Sequence, residues 1–246
     1  MKVTLKIQRY NPETDKAPYF KEYPVEVDAG DRVLDALMHV KNFVDGTLAL
    51  RRSCAHGVCG SDAMIINGQE RLACKTLIKD VAESEGATVT VEPIKHLPLL
   101  RDLMVDQGEF FERYRKVKPF FISDEPVDGR ERVQSPEDRY VFDDPTKCIL
   151  CASCYSACPI LDGKNLEFIG PASIVQAARF VFDNRDRGFE ERLAVLDHPN
   201  GVWACENHFQ CTRVCPRGIK VTKSINLTKR KITELRKARG EKEHKG

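Results

Sequence analysis

The residues most able to do chemistry in this chain are its ten cysteines, at positions 54, 59, 74, 148, 151, 154, 158, 205, 211 and 215. They fall in tight groups, and thiols spaced two residues apart are a pattern of metal ligation rather than of a disulfide scaffold. The first group reads Cys54-x4-Cys59-x2-Asp62, with Cys74 further on. Plant-type [2Fe–2S] loops use C-x4-C-x2-C followed by a distant cysteine. Asp62 therefore stands in the third ligand's place, either as a carboxylate ligand to iron or as a loop carboxylate beside Ser61; the spacing favours the ligand. Gly57 and Gly60 let such a loop curl until backbone N–H groups approach the sulfides.

The second group, Cys148-x2-Cys151-x2-Cys154-x3-Cys158-Pro159, is the bacterial ferredoxin run. In it three cysteines hold one cluster and the fourth ligates another. The third group repeats that spacing as Cys205, His208, Cys211 and Cys215-Pro216, with an imidazole in place of one thiol. Crossing over the fourth cysteines leaves Cys148, Cys151, Cys154 and Cys215 for a [4Fe–4S] cluster. Cys158, Cys205 and Cys211 remain, and three thiolates suit a [3Fe–4S] cluster. His208 either ligates a fourth iron, as the histidines of Rieske centres do, or fills the vacant corner; the second is preferred. No cysteine is left over.

These groups need scaffolds. Val3, Leu5 and Ile7 alternate with polar residues as a strand, as do Tyr23, Val25 and Val27, with Pro24 marking an edge. Asp31 is expected to cap a helix carrying Val33, Leu34, Leu37, Val40 and Val44. Asn67-Gly68 between apolar runs predicts a hairpin, and Val89, Val91 and Ile94 a last strand. Beyond Pro98 the pattern turns helical: an amphipathic helix over Leu99–Val117, a polar surface connection over 122–146, a helix opened by Pro171, and a last helix from Val221 to Ala238. The expected division is a strand-rich domain over 1–100 and a helical one over 101–246.

Composition narrows the class. Lys+Arg number 39 against 37 Asp+Glu, a formal charge of +2, so overall basicity of the nucleic-acid-binding kind is absent and no nucleic-acid partner is expected. Hydrophobic residues at 41% and charged residues at 31% are those of a folded chain. No run reaches the roughly 18 uncharged apolar residues of a membrane helix, and the strand-like start carries no apolar export core. The segment from Arg217 to Gly246 holds 11 Lys/Arg and 3 Asp/Glu, a basic face for anionic lipid or an acidic partner, or a solvated helix and tail. Arg51 and Arg52 flank the first group. His39, His96, His198 and His244 have no cysteine neighbours, and the loop spacing assigns His56 no iron.

Together, Arg51–Asp62, the Cys148–Pro159 run, Phe168-Ile169-Gly170-Pro171-Ala172 and Cys211–Pro216 resemble the iron–sulfur subunit of succinate dehydrogenase/fumarate reductase, from Val3 to about Leu227. The resemblance implies an α+β chain: an N-terminal β-grasp [2Fe–2S] ferredoxin domain joined to a C-terminal α-helical dicluster ferredoxin domain. Members with aspartate at the position of Asp62 belong to the same family. It further implies electrons arriving from FAD in a flavoprotein subunit, passing [2Fe–2S], [4Fe–4S] and [3Fe–4S] clusters, and leaving to quinone at a membrane-anchor subunit. This chain would conduct and carry no catalytic acid or base, and it would sit peripherally on the cytoplasmic face of the cell membrane. Ubiquinone-using members carry tryptophan shortly after the cysteine-proline matched by Cys158-Pro159; here Ile160-Leu161-Asp162-Gly163 follows and the sole tryptophan is Trp203. That departure favours menaquinone or a rearranged site, with Pro159, Ile160, Trp203 and His208 as candidate quinone-vicinity residues. Fumarate reduction, the reverse flow, is the near alternative. A zinc-stabilised binding module is the remote one, since zinc sites take four ligands in separated pairs.

Overall fold

The computed structural model describes residues 1–126 and 131–241. His244, Lys242 and Lys245 of the basic tail, and residues 127–130 of the expected connection, lie outside the described residues. The chain forms two compact units: Met1–Glu109 with Ile149–Ala157, and Phe110–Cys148 with the residues from Cys158 onward. The sequence-based division at 100/101 thus differs from the observed grouping at both the hairpin after residue 98 and the segment 149–157.

The first unit is a five-stranded mixed sheet in the order β2-β1-β5-β3-β4. Its strands are β1 (Lys2–Arg9), β2 (Tyr19–Glu26), β3 (Ala63–Ile66), β4 (Gln69–Leu72) and β5 (Thr88–Glu92). β1 pairs antiparallel with β2 and parallel with β5, so the first strand and the last large strand lie side by side. Pro24 sits in β2 at the sheet edge, where its missing N–H interrupts no inner ladder. Asn67 and Gly68 both take positive φ, 50° and 76°, the geometry of a two-residue hairpin turn between β3 and β4.

Helix α1 (Val33–His39) lays Val33, Leu34 and Leu37 against the sheet, where they are buried with Leu5, Ile7, Val89 and Val91. Its cap differs from expectation. Arg32 holds the N-cap position, and the Asp35 carboxylate accepts its backbone N–H at 3.1 Å. Asp31 instead accepts the N–H of Asp28 and closes the preceding turn. Val44 is exposed rather than part of the buried face.

The expected helix over Leu99–Val117 is in fact a hairpin followed by a shorter helix: β6 (Leu99–Arg101), β7 (Met104–Val105) and α2 (Gly108–Lys116). The reason lies in Asp102, which takes φ 47° at the turn and is 2% exposed. Its carboxylate accepts from Arg9 Nε and the Tyr10 N–H at 2.9 Å and from the Ala49 N–H at 2.8 Å. These partners tie the turn to the first unit and outweigh the apolar spacing that suggested a helix.

The second unit is helical: α3 (Pro136–Thr146), α5 (Pro171–Val181), α6 (Phe189–Leu196), α7 (Gln210–Arg213) and α8 (Val221–Ala238), with the short α4 (Ser153–Ser156) belonging to the first unit. Residues 122–146 therefore hold a helix as well as a connection. Ser135 caps it by accepting the Asp138 N–H, and Pro136 starts it, where a proline costs no hydrogen bond. Helix α5 is buried from Pro171 to Ala178 and packs on α3 and α8, which makes it the centre of the unit. Among the described residues no helix is long and apolar enough to cross a membrane.

Candidate metal centres

The first centre is a loop between α1 and β3. Ala55, Gly57 and Gly60 take φ of 57°, 81° and 70°, so the backbone coils and turns N–H groups inward. The His56 and Cys59 N–H groups lie 3.5 and 3.3 Å from Cys54 Sγ, and the Cys54 N–H lies 3.5 Å from Cys59 Sγ. Hydrogen bonds from the His56 and Val58 backbone, and then from Cys59, hold the Cys54 thiol down at about 6, towards the thiolate that ligation needs. His56 itself turns away, its Nδ1 2.7 Å from the Cys54 carbonyl.

Asp62 is 2% exposed. Its Oδ2 accepts the Cys74 N–H at 2.5 Å, while Oδ1 is buried with no hydrogen-bond partner. A buried carboxylate oxygen left bare is costly unless a cation takes it. Burial, and then the hydrogen bond and charge of Asp62, push the Cys74 thiol up to about 12. The two groups are poor neighbours without a cation between them, and a coordinated thiol is deprotonated outright. Cys54, Cys59, Asp62 and Cys74 accordingly fit the donor set of an iron–sulfur group.

The second and third loops share one backbone design. Leu150 and Ala152, on either side of Cys151, take φ of 55° and 61°. Asn207 and Phe209, on either side of His208, take 61° and 62°. Left-handed backbone at non-glycine residues is uncommon, and its recurrence at the same places means that His208 occupies the position Cys151 holds in the earlier run. Cys158, Cys205 and Cys211 line one cavity of the second unit, with Pro159, Ile160 and His208 also in its wall. Burial raises the pKa of Cys158 and of Cys211, where neighbouring cysteines add to the effect. Thr222 of α8 stands 3.5 Å from Cys211 Sγ, and Lys229 donates to the Cys205 carbonyl at 2.7 Å.

His208 Nε2 lies 2.9 Å from Glu206 Oε2, and its side chain is 39% exposed. Lys164, and then His208, lower the pKa of Glu206. Trp203 is not among the residues lining the cavity; its indole N–H donates to Asp197 Oδ1 at 2.7 Å. Of the remaining cysteines, Cys151 and Cys154 belong to the first unit and Cys148 and Cys215 to the second.

Thr222 and Glu206 escaped the sequence reading, and Lys229 was expected only as part of the basic helix, Lys229-Arg230-Lys231, facing lipid or an acidic partner. Glu206 beside a cysteine and two residues before His208 was a usable signal. Thr222 and Lys229 had none, since only the packing of α8 brings them to the cysteine loops. The basic helix is also less free than its composition suggests. Lys231 donates to the Val181 carbonyl and covers the rings of Phe182 and Phe189, while Arg236 pairs with Asp197 and Arg239 with Glu190.

Comparison with known proteins agrees with this chemistry. Residues 4–112 match the 2Fe-2S iron-sulfur cluster binding domain family, and residues 144–219 the 4Fe-4S dicluster domain family. The succinate dehydrogenase iron-sulfur subunit of Coxiella burnetii is 42% identical over 225 residues, 91% of this chain and 94% of that one. The chain belongs to the family of succinate dehydrogenase iron–sulfur subunits. The fumarate reductase iron-sulfur subunit of Mycobacterium tuberculosis, in the same family, is 37% identical over 93% of this chain and 92% of its own. A chain of the Mycobacterium smegmatis Sdh1 complex in the apo form superposes with a TM-score of 0.85 at 30% identity, covering 95% of this chain and 96% of that one. As a member of the family this chain is the electron-carrying subunit of an oxidoreductase, with the [2Fe–2S] ferredoxin fold before the dicluster fold.

Proposed function

We propose that this chain carries electrons from the FAD of a flavoprotein subunit to a quinone at a membrane-anchor subunit, as the conducting part of a succinate:quinone oxidoreductase. When bound, the clusters supply one-electron redox centres. Cys54, Cys59, Asp62 and Cys74 hold [2Fe–2S]; Cys148, Cys151, Cys154 and Cys215 hold [4Fe–4S]; Cys158, Cys205 and Cys211 hold [3Fe–4S]. The observation carrying this reading is the three-thiol cavity of Cys158, Cys205 and Cys211, in which the His208 imidazole is engaged with Glu206.

The residues of the chain supply thiolates, backbone N–H groups aimed at sulfur and shielding from water, and no acid or base for the dicarboxylate. The chain sits peripherally on the cytoplasmic face of the cell membrane, held by its anchor. Menaquinone is the favoured acceptor. Tryptophan is absent from the segment after Cys158-Pro159, and the Trp203 N–H already has Asp197 as its acceptor. Pro159, Ile160 and His208 remain the candidate walls nearest the quinone. The reverse flow, fumarate reduction, uses the same ligands and is the second reading, supported by the name of the Mycobacterium tuberculosis relative.

The test is EPR of the anaerobically purified complex during stepwise reduction, with iron and zinc counted on the same sample. A [3Fe–4S] signal when oxidised, followed by [2Fe–2S] and [4Fe–4S] signals on reduction, is expected. Zinc without iron, or a dicluster domain holding two four-iron clusters, would overturn the assignment. Rates with succinate and with a reduced quinone as donor distinguish the two directions.

A further inference from the structure

Two ligand-bearing segments of the first unit touch at Gly60. Gly60 directly follows Cys59, is buried, and takes φ 70°. A Cβ added there would lie 2.7 Å from Cys151 Cβ, 3.0 Å from Cys151 Cα and 3.2 Å from the Ile149 carbonyl. Real Cβ atoms do not come within 2.7 Å of another carbon, and Cys151 Cβ is fixed to its backbone, so the contact exists only because residue 60 has no side chain. The segment 149–157 is also clamped from its other end. Ser156 donates to Glu70 of β4 at 2.8 Å, and its hydroxyl accepts the Lys95 N–H at 2.9 Å.

The geometry points to Gly60 as a positioning residue for electron transfer: its missing side chain brings the peptide after Cys59 into contact with Cys151, giving the electron one short through-space step between ligands of the first and second clusters. This deepens the electron-transfer reading above and rests on its ligand sets. The step itself moves one electron, oxidising the [2Fe–2S] centre and reducing the [4Fe–4S] centre, with no bond made or broken and no proton transferred. Electron tunnelling weakens steeply with separation, so displacing Cys151 from this contact slows the step without removing a ligand.

Gly68 supplies an internal control. It lies outside the cluster loops, in the turn between β3 and β4, with φ 76°, and a Cβ there would meet nothing within 4 Å. Gly60→Ala and Gly68→Ala therefore both place a side chain at left-handed backbone, and only the first presses on Cys151. The experiment uses the purified complex, with iron content and both EPR signals established first. Freeze-quench EPR after mixing with succinate reads the rate at which the oxidised [3Fe–4S] signal is lost, since an electron reaching that centre must first cross from the first cluster to the second. Microwave power saturation of the fully reduced sample reads the spin coupling between the two centres, which depends on their separation and not on turnover.

Gly60→Ala is expected to slow the transfer several-fold and to weaken the coupling, with midpoint potentials close to wild type, while Gly68→Ala matches wild type in both. Gly60→Ala with both clusters present and unchanged rate and coupling overturns the proposal. If Gly60→Ala loses a cluster, Ser156→Ala decides: release of the clamp should weaken the coupling, and unchanged coupling counts against the contact. Absence of both reduced signals from the wild-type complex would instead bring down the ligand sets themselves.

Discussion

The Cys74 N–H donates to Asp62 Oδ2 at 2.5 Å, and the second oxygen of the same carboxylate is buried with no partner. One oxygen thus positions the carboxylate and the other is left for a cation. Asp62→Ala should lose or strongly alter the [2Fe–2S] spectrum, and it also strips a buried N–H of its acceptor at a cost of about 1–3 kcal/mol. Asp62→Cys should retain a cluster with a shifted spectrum. EPR and visible absorption of the two variants check this, and an unchanged Asp62→Ala spectrum would remove Asp62 from the ligand set.

His208 gives the complementary case. Its ring is 2.9 Å from Glu206 and partly exposed, although its backbone repeats that of the Cys151 position. His208→Ala should therefore leave the oxidised [3Fe–4S] signal in place. His208→Cys should supply a fourth thiolate and convert the centre to a four-iron cluster, silencing that oxidised signal and raising the iron count. Loss of the signal in His208→Ala would argue for ligation by the imidazole.

Asp45 sets a pH dependence in the first unit. Hydrogen bonds from Thr47, then from Lys21, Arg9 and Tyr23, hold its carboxyl far below the usual carboxylate range. Because the folded pKa is depressed, the stabilisation is present in full above the unfolded value of about 3.9 and is lost as pH falls towards the folded one. Asp45→Asn should destabilise the protein at neutral pH by on the order of 1–2 kcal/mol, allowing for the solvent-screened Lys21 arm. The gap from wild type should shrink in acid below about pH 4. Thermal unfolding of both proteins across that range is the measurement; a gap that widens in acid would show the sign to be wrong.

In the second unit, Arg192 and Asp186 form an ion pair at 2.7 Å with side chains 0% and 1% exposed. Arg192 also donates to the carbonyls of Lys118 and Phe120, and Asp186 accepts the N–H groups of Ile122 and Gly188. Arg192→Leu leaves a buried carboxylate without its countercharge and should cost about 3–5 kcal/mol. Arg192→Lys should recover only part of that, because an ammonium cannot reproduce the planar fork. Calorimetry checks both, and a loss below about 1 kcal/mol for Arg192→Leu, the scale of an exposed pair, would refute the network.

Much of this protein was legible in its sequence because cluster ligation is local. Cys54–Cys59, Cys148–Cys158 and Cys205–Cys215 place thiols by spacing along a few residues of loop, so the order of residues carries the signal. Strand β1, the Asn67-Gly68 hairpin, the Pro171 helix start and the Val221–Ala238 helix were equally readable, since alternation and turn chemistry are properties of neighbouring residues. Tertiary structure decided what neighbours cannot. The buried partners of Asp102 made a hairpin of residues that read as a helix, and Ser135 with Pro136 opened a helix in a polar stretch. The segment 149–157 joined the first unit through Ser156 and Glu70, and the bare oxygen of Asp62 is defined only by what surrounds it. Such contacts join residues far apart in the chain, and their energies depend on burial and partner geometry, which exist only once the chain has folded.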